Sequence, residues 1–158
     1  MVKVLAVGRM KAGPERELFE RYWQRTGSLS KSLGFGAPSL VELRESQAGT
    51  GDQRKAAEAE ALMARAETGA ALIALDERGK AITTADLSKS FEHYRDAGRE
   101  VCLVIGGPDG LDGSLRRRAD KVISFGAMTM PHQLVRVLAA EQIYRVMTVL
   151  SGHPYHRA

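Results

Sequence analysis

Apolar residues along this chain fall into short unbroken runs, and between the runs they recur at helical spacing. Val2 to Val7, Ser39 to Leu43, Ala70 to Leu75, Val101 to Ile105 and Val122 to Phe125 read as strands. Runs that are apolar throughout fit strands buried on both faces, as in a parallel sheet. The intervening stretches predict helices. Glu15 to Thr26 follows Pro14 and carries Leu18, Tyr22 and Arg25 on one side, and the Ser/Gly-rich stretch Leu29 to Ala37 reads as a loop. Asp52 to Thr68 reads as a helix capped by Asp52, with Ala56, Ala59, Met63 and Ala66 as its buried stripe. Asp76 to Gly79 reads as a turn. Thr83 or Thr84 then caps a helix that ends before Gly98, and Ser114 to Asp120 forms a short basic helix. Strand and helix alternate along 1–158 without a linker or a repeat. The expectation is one α/β domain with about five strands, a mostly parallel sheet and helices on both faces.

The last third departs from that routine. Pro131 opens a helix running to about Leu150, after which Ser151 and Gly152 end it. Leu134, Val135, Leu138 and Val149 cover one side of this helix, while Val137, Ala140, Ile143, Tyr144 and Met147 cover the rest. A helix that is apolar all round is buried all round. In a small domain one chain rarely covers a helix on every side, so the pattern predicts a homodimer built on this helix. Beyond it stand His153, Pro154, Tyr155, His156 and Arg157, which hold two of the chain's 4 histidines. Such a segment can stack on a base, move a proton and grip a phosphate.

Composition narrows the class. The chain has 158 residues, a net charge of +4 and 1 cysteine. No run approaches the length of a membrane span, and M-V-K-V-L-A-V-G reads as a strand rather than a signal peptide. Cys102 lies in an apolar run and reads as a buried hydrophobe, so a reducing cytoplasm is expected. No metal-ligand spacing is visible. The positive charge favours an anionic partner.

In parallel sheets, ligands bind beyond the C-terminal ends of the strands. Three of those ends carry suggestive residues: Leu75-Asp76, I-G-G-P-D-G-L from Ile105, and F-G-A-M-T-M from Phe125. Glycines there let a ligand approach the backbone. Neither G-x-G-x-x-G nor a Walker loop is present, which argues against a nicotinamide dehydrogenase or a P-loop enzyme. A nucleotide-like cofactor without a pyrophosphate, such as S-adenosylmethionine, fits better.

The runs V-I-G-G-P-D-G-L, M-T-M-P-H-Q-L-V-R-V-L-A-A-E-Q-I-Y-R and G-H-P-Y-H-R resemble the SPOUT, or α/β-knot, methyltransferases, within them those acting on large-subunit ribosomal RNA. The resemblance spans essentially the whole chain. It implies a C-terminal trefoil knot, which general rules of chain topology would not suggest. It also implies a homodimer with the site near the subunit interface. The activity it implies is methyl transfer from S-adenosylmethionine to N3 of a pseudouridine in large-subunit rRNA on the assembled ribosome. By the same resemblance Leu75, Gly106, Phe125, Gly126, Ala127, Met128, Thr129 and Met130 form the cofactor pocket. Phe125-Gly126 stands where Leu-Ser is common in the family, but the segment offers mainly backbone groups.

The acceptor N3–H must lose its proton. His132, in the first turn of the last helix, and His156 on the tail are both candidate bases. Arg136, one turn beyond His132, is a candidate for holding an RNA phosphate or the cofactor carboxylate. Tyr155, His156 and Arg157 are the expected RNA contacts. Glu141 and Arg145 read as a structural pair. A non-catalytic RNA- or ribosome-binding α/β protein is the rival reading, served by Arg116 to Arg118, Lys121 and the tail.

Overall fold

A computed structural model of the chain describes residues 1–157. Five strands, β1 (Val2–Val7), β2 (Ser39–Leu43), β3 (Ala71–Ala81), β4 (Val101–Ile105) and β5 (Lys121–Ser124), form one sheet in the order β2-β1-β4-β3-β5. Every pairing is parallel, so all C-terminal strand ends share one edge. The helices are α1 (Pro14–Ser32), α2 (Gly51–Met63), α3 (Thr84–Asp96), α4 (Gly113–Arg118) and α5 (His132–Ser151).

Both faces of the sheet are covered, which explains the apolar runs. Val2, Val4, Ile73, Val101 and Leu103 point to one side, under Phe35, Phe91 and the α5 residues Ala139, Ile143, Val146 and Met147. Leu5, Val7, Ala74, Cys102 and Val104 point to the other, under Ala59 and Leu62 of α2 and Leu115 of α4.

Several boundaries differ from the sequence expectation. The stretch expected as a loop from Leu29 continues α1 as far as Ser32. Buried Ser30 donates to the carbonyls of Gly27 and, at 2.7 Å, Gly36, while Leu29 and Leu33 pack on the core. Tertiary packing there overrides weak helix propensity. The cap of α2 is Thr50 rather than Asp52: Thr50 Oγ1 accepts from Gln53 N and the Gln53 side chain accepts from Thr50 N. That helix stops at Met63, and its buried face is Glu58, Ala59 and Leu62, with Ala56 left exposed. Asp120 lies outside α4 and binds Arg99 and the Leu72 amide instead. Pro131 is the N-cap of α5 rather than its first residue.

The expected turn at Asp76 to Gly79 is part of a longer β3. Leu75 and Lys80 both register with Ile123 of β5, so residues between them loop outward and the strand then resumes. Gly79 is required there, because any side chain would run into the Ile123 backbone.

The chain itself covers more of α5 than the all-round apolar pattern leads one to expect. Its own chain buries most of it, with Val137 and Ala140 against Phe19 of α1 and Ile143 and Met147 in the main core. Tyr144 and Ile143, read as part of a face for a partner, are core residues at 7% and 0% exposure. Leu134 and Leu138 remain exposed.

Candidate active site

The segment between β5 and α5 crosses the sheet. β5 lies beside β3, whereas Arg136 in α5 reaches the C-terminal ends of β1 and β2. Three strand spacings separate β5 from β1, about 14 Å. Residues 125–131 span that distance and so pass over the ends of β3 and β4. Beneath this strap lies a cleft of about 300 Å³. Its walls are Leu75 to Arg78, where β3 loops outward, Ile105 to Leu111 at and beyond the end of β4, and Phe125, Gly126, Met128, Thr129 and Met130 of the strap, with Lys55, Arg116, His132 and Val135 around them.

Leu75, Gly106, Phe125, Gly126, Met128, Thr129 and Met130 are thus brought together as the sequence suggests, while Ala127 does not line the cleft. Gly106 and Gly107 are needed for a reason the sequence did not suggest. A Cβ at Gly106 would lie 2.8 Å from the Gly110 carbonyl, and one at Gly107 would lie 2.9 Å from Val7 Cγ1. Both glycines let the turn close on itself and on β1.

Two carboxylates of the cleft are tied down. Asp76 Oδ2 accepts from Arg116 Nη1 at 3.2 Å, and Asp76 Oδ1 accepts from Arg78 N at 2.9 Å. Arg54 Nε and Nη2 donate to both oxygens of Asp109, at 2.7 and 3.0 Å. That fork holds the Asp109 carboxyl below the usual carboxylate range. Among the described residues no group of His, Cys, Asp or Glu has the arrangement of a metal site.

His132 and Pro108 also line a second cleft of about 470 Å³, with Arg9, Glu15, Glu45, Gln133 and Leu134. His132 therefore stands in the wall between two hollows. Arg136 borders the second one, but its guanidinium is engaged. It is 2% exposed, donates Nη1 to Glu42 Oε1 at 2.8 Å, and donates Nη2 to the Val7 carbonyl. Burial pulls its pKa down from the ordinary arginine value, against the opposing pull of Glu42. A strut between α5 and the ends of β1 and β2 is what this geometry describes, not a free phosphate grip.

The tail is elsewhere. Tyr155 packs on Tyr144 with ring centroids 4.7 Å apart, lies under Arg145 at 4.8 Å, and donates its hydroxyl to Glu141 at 3.1 Å. Burial first, then bonds to Tyr22 and Glu141, push its hydroxyl pKa up. Among the described residues His156 Nδ1 is buried without a hydrogen-bond partner, and Arg157 is exposed. Glu141 and Arg145 do form the expected pair, at 2.9 Å. The residues holding Tyr155 lie nine to thirteen positions past His132 on α5, about 14–20 Å along the helix axis. Tyr155, His156 and Arg157 are therefore not beside the cleft of their own chain.

Sequence reading missed Lys55, Arg54 and the second cleft, and it named Arg116 only for the rival RNA-binding reading. The strand-end residues carried a local signal. Arg54 carried none, because its partner Asp109 lies 55 positions away.

A family model described as "Predicted SPOUT methyltransferase" matches residues 1–156. The chain is 51% identical over 158 residues to the "Ribosomal RNA large subunit methyltransferase H" of Mesorhizobium japonicum, covering 99% of each protein. It is 53% identical over 154 residues to the protein of the same name from Methylobacterium radiotolerans, covering 96% of this chain and 94% of that one. Among solved structures it resembles a probable methyltransferase from Bordetella pertussis Tohama I, with a TM-score of 0.53, 13% identity, and 92% and 95% of the two chains covered. A probable methylase family protein from Haemophilus influenzae Rd KW20 gives a TM-score of 0.52 at 11% identity, over 99% of this chain and 70% of that one. At such identities these two likenesses speak for the fold alone.

Proposed function

The chain belongs to the SPOUT methyltransferase family, and from that premise we propose that it methylates N3 of a pseudouridine in large-subunit ribosomal RNA, on the assembled ribosome in the cytoplasm. The observation that carries this reading is the position of His132, in the wall shared by the strap-covered cleft and the second hollow.

The first cleft fits S-adenosylmethionine, the methyl donor. Leu75, Ile105, Met130 and Val135 offer apolar surface for a purine, and the turns at 106–110 and 125–130 offer backbone groups to its edge. Lys55, Asp76 and Arg116 offer charges for an aminocarboxylate. When bound, the cofactor supplies an electrophilic methyl group on a sulfonium. The chain's own task is to place the acceptor and remove its proton. The second cleft receives the acceptor base, and an imidazole nitrogen of His132 takes the N3 proton across the shared wall.

The working unit is a homodimer. Met128, Leu134 and Leu138, at 81%, 46% and 38% exposure, are large apolar side chains on the strap and the first half of α5. Covering them with a second copy joins the two α5 helices near the clefts. The tail cannot reach its own chain's cleft, so Tyr155, His156 and Arg157 of a second copy complete each site on the RNA side.

Transfer of tritiated methyl from S-adenosylmethionine tests the reading, with whole ribosomes, free large subunits and naked rRNA offered in parallel. Label should enter the pseudouridine on whole ribosomes most readily. A protein that gives no calorimetric heat with S-adenosylmethionine and transfers no label would be a ribosome-binding module instead.

A further inference from the structure

We propose that Arg54 is a positioning residue for methyl transfer, one guanidinium that holds the cofactor turn 106–110 and the acceptor-side segment 45–50 in fixed relation. The inference rests on the functional reading above and extends it to a residue outside both clefts.

The geometry is a three-way clamp. Arg54 projects from the first turns of α2. Its Nε and Nη2 fork onto the Asp109 carboxylate, and its Nη1 donates to the Ala48 carbonyl at 3.3 Å. Asp109 belongs to the wall of the first cleft, and Glu45, in the segment that Ala48 anchors, belongs to the wall of the second. One turn along α2, buried Glu58 repeats the connection, accepting from Ser46 N at 2.9 Å. Its other oxygen lies 3.2 Å from where a Cβ on Gly107 would be.

The cofactor turn needs such a tie. Pro108 has no N–H, and the turn closes on itself through a single short bridge between Gly107 and Gly110, in which Gly110 N donates to the Gly107 carbonyl. Among the described residues, the only side-chain hydrogen bonds reaching 107–110 come from Arg54. The Arg54 and Asp109 side chains are 33% and 30% exposed, so their pair adds little to folding. Its value lies in pre-organisation: a turn held in place before binding loses less freedom when the ligand arrives.

Calorimetric titration of S-adenosylmethionine into wild type, R54M, D109N, R54M/D109N and R54K tests this, with thermal midpoints and amide exchange recorded alongside. R54M and D109N should each weaken cofactor binding about tenfold, and the double variant should be no weaker, since the pair acts as one unit. R54K should not restore affinity, because an ammonium cannot reproduce the fork. Exchange at Asp109 and Gly110 should quicken while the midpoint barely moves. R54M and the double variant, but not D109N, should also raise the KM for ribosomes, since only loss of Arg54 releases Ala48. Should R54M fail to fold, the isosteric D109N carries the same test of affinity and exchange. Variants that bind and exchange like wild type, or effects that simply add, would overturn the proposal. A wild type that takes up no cofactor would instead sink the functional reading itself.

Discussion

His132 and Arg136 sit one turn apart on α5, and their surroundings assign them different work. His132 lines both clefts and makes no hydrogen bond to another side chain among the described residues. His132→Gln should therefore leave the fold and cofactor affinity intact while single-turnover methyl transfer falls at least about a hundredfold, the usual worth of a positioned base. Normal turnover in that variant would move the role to His156. Arg136 instead pairs with Glu42 out of solvent. Arg136→Met leaves the Glu42 carboxylate with the Met10 amide but no cation, and breaking a largely buried pair in this way costs about 3 kcal/mol. Urea denaturation should show that loss directly; an unchanged midpoint with lost RNA affinity would restore the phosphate-grip reading. Sequence spacing could place these two residues on one face, but it could not distinguish them. What separates them is Glu42, 94 positions away from Arg136 and joined to it only by the sheet order.

At the scale of elements, α5 and the tail carry the dimer reading. Leu138→Glu puts a charge on the exposed stripe of α5 without entering the core. Light scattering should then report monomers, and methyl transfer should fall with the loss of the composite site. Ile143→Glu would not test this, because Ile143 lies inside the protomer. A dimeric and active L138E protein would place the interface elsewhere. Deleting residues 155–158 removes the Tyr155 ring from Tyr144 and Arg145, at a cost of about 1 kcal/mol for lost aromatic contact. Cofactor affinity should hold, while transfer to ribosomes should drop at least about a hundredfold, or ~3 kcal/mol in the transition state. Loss of cofactor binding in that truncation would assign the tail to the first cleft instead. The core strands β1 and β4 were legible to the residue, because continuous apolar runs have few other uses, and the half-buried edge strand β2 was read at its observed bounds as well. The last turns of α1 were not, since the Ser/Gly-rich stretch from Leu29 reads as loop until Ser30 finds the Gly36 carbonyl. The outer half of β3 was hidden for a similar reason. Asp76 to Gly79 has turn composition, and only pairing with Ile123 and Ser124 of β5 makes a strand of Lys80 and Ala81.

The whole molecule has two poles, set by a sheet whose strands all run one way. The C-terminal pole holds both clefts, and the cofactor cleft reads in the sequence as three strand ends, two of them carrying glycines, while the crossing of the strap follows only from the strand order. The N-terminal pole holds polar clusters that read as nothing in particular, because their members are scattered along the chain. There Lys3 pairs with buried Glu100 at 2.9 Å, and Arg99 forks onto Asp120 at 2.8 and 3.0 Å while reaching the carbonyls of Gly69 and Ala70. Asp120 also accepts from Leu72 N, so one carboxylate ties β3, β4 and the entry to β5. Burial opposes its ionisation, but the Arg99 and Leu72 bonds outweigh that and hold its pKa below the ordinary value. Lys3 and the Cys102 thiol do the same for Glu100 against its burial. A carboxylate with a depressed folded pKa adds stability that is present above its unfolded pKa, near 4, and lost as pH falls through the lower folded value. Asp120→Asn should accordingly lower stability by about 1–3 kcal/mol at pH 7, and the gap from wild type should close as pH drops below about 4. Urea midpoints across pH 2–7 would show it, and a gap that stays constant would mean that the asparagine is harmful for some reason other than charge. Because this pole lies at the far end of the strands from the cofactor, D120N should bind S-adenosylmethionine like wild type, while D109N should weaken binding and leave the midpoint alone. Stability and ligand affinity should thus respond separately to two aspartates, each gripped by an arginine fork, at opposite ends of one sheet.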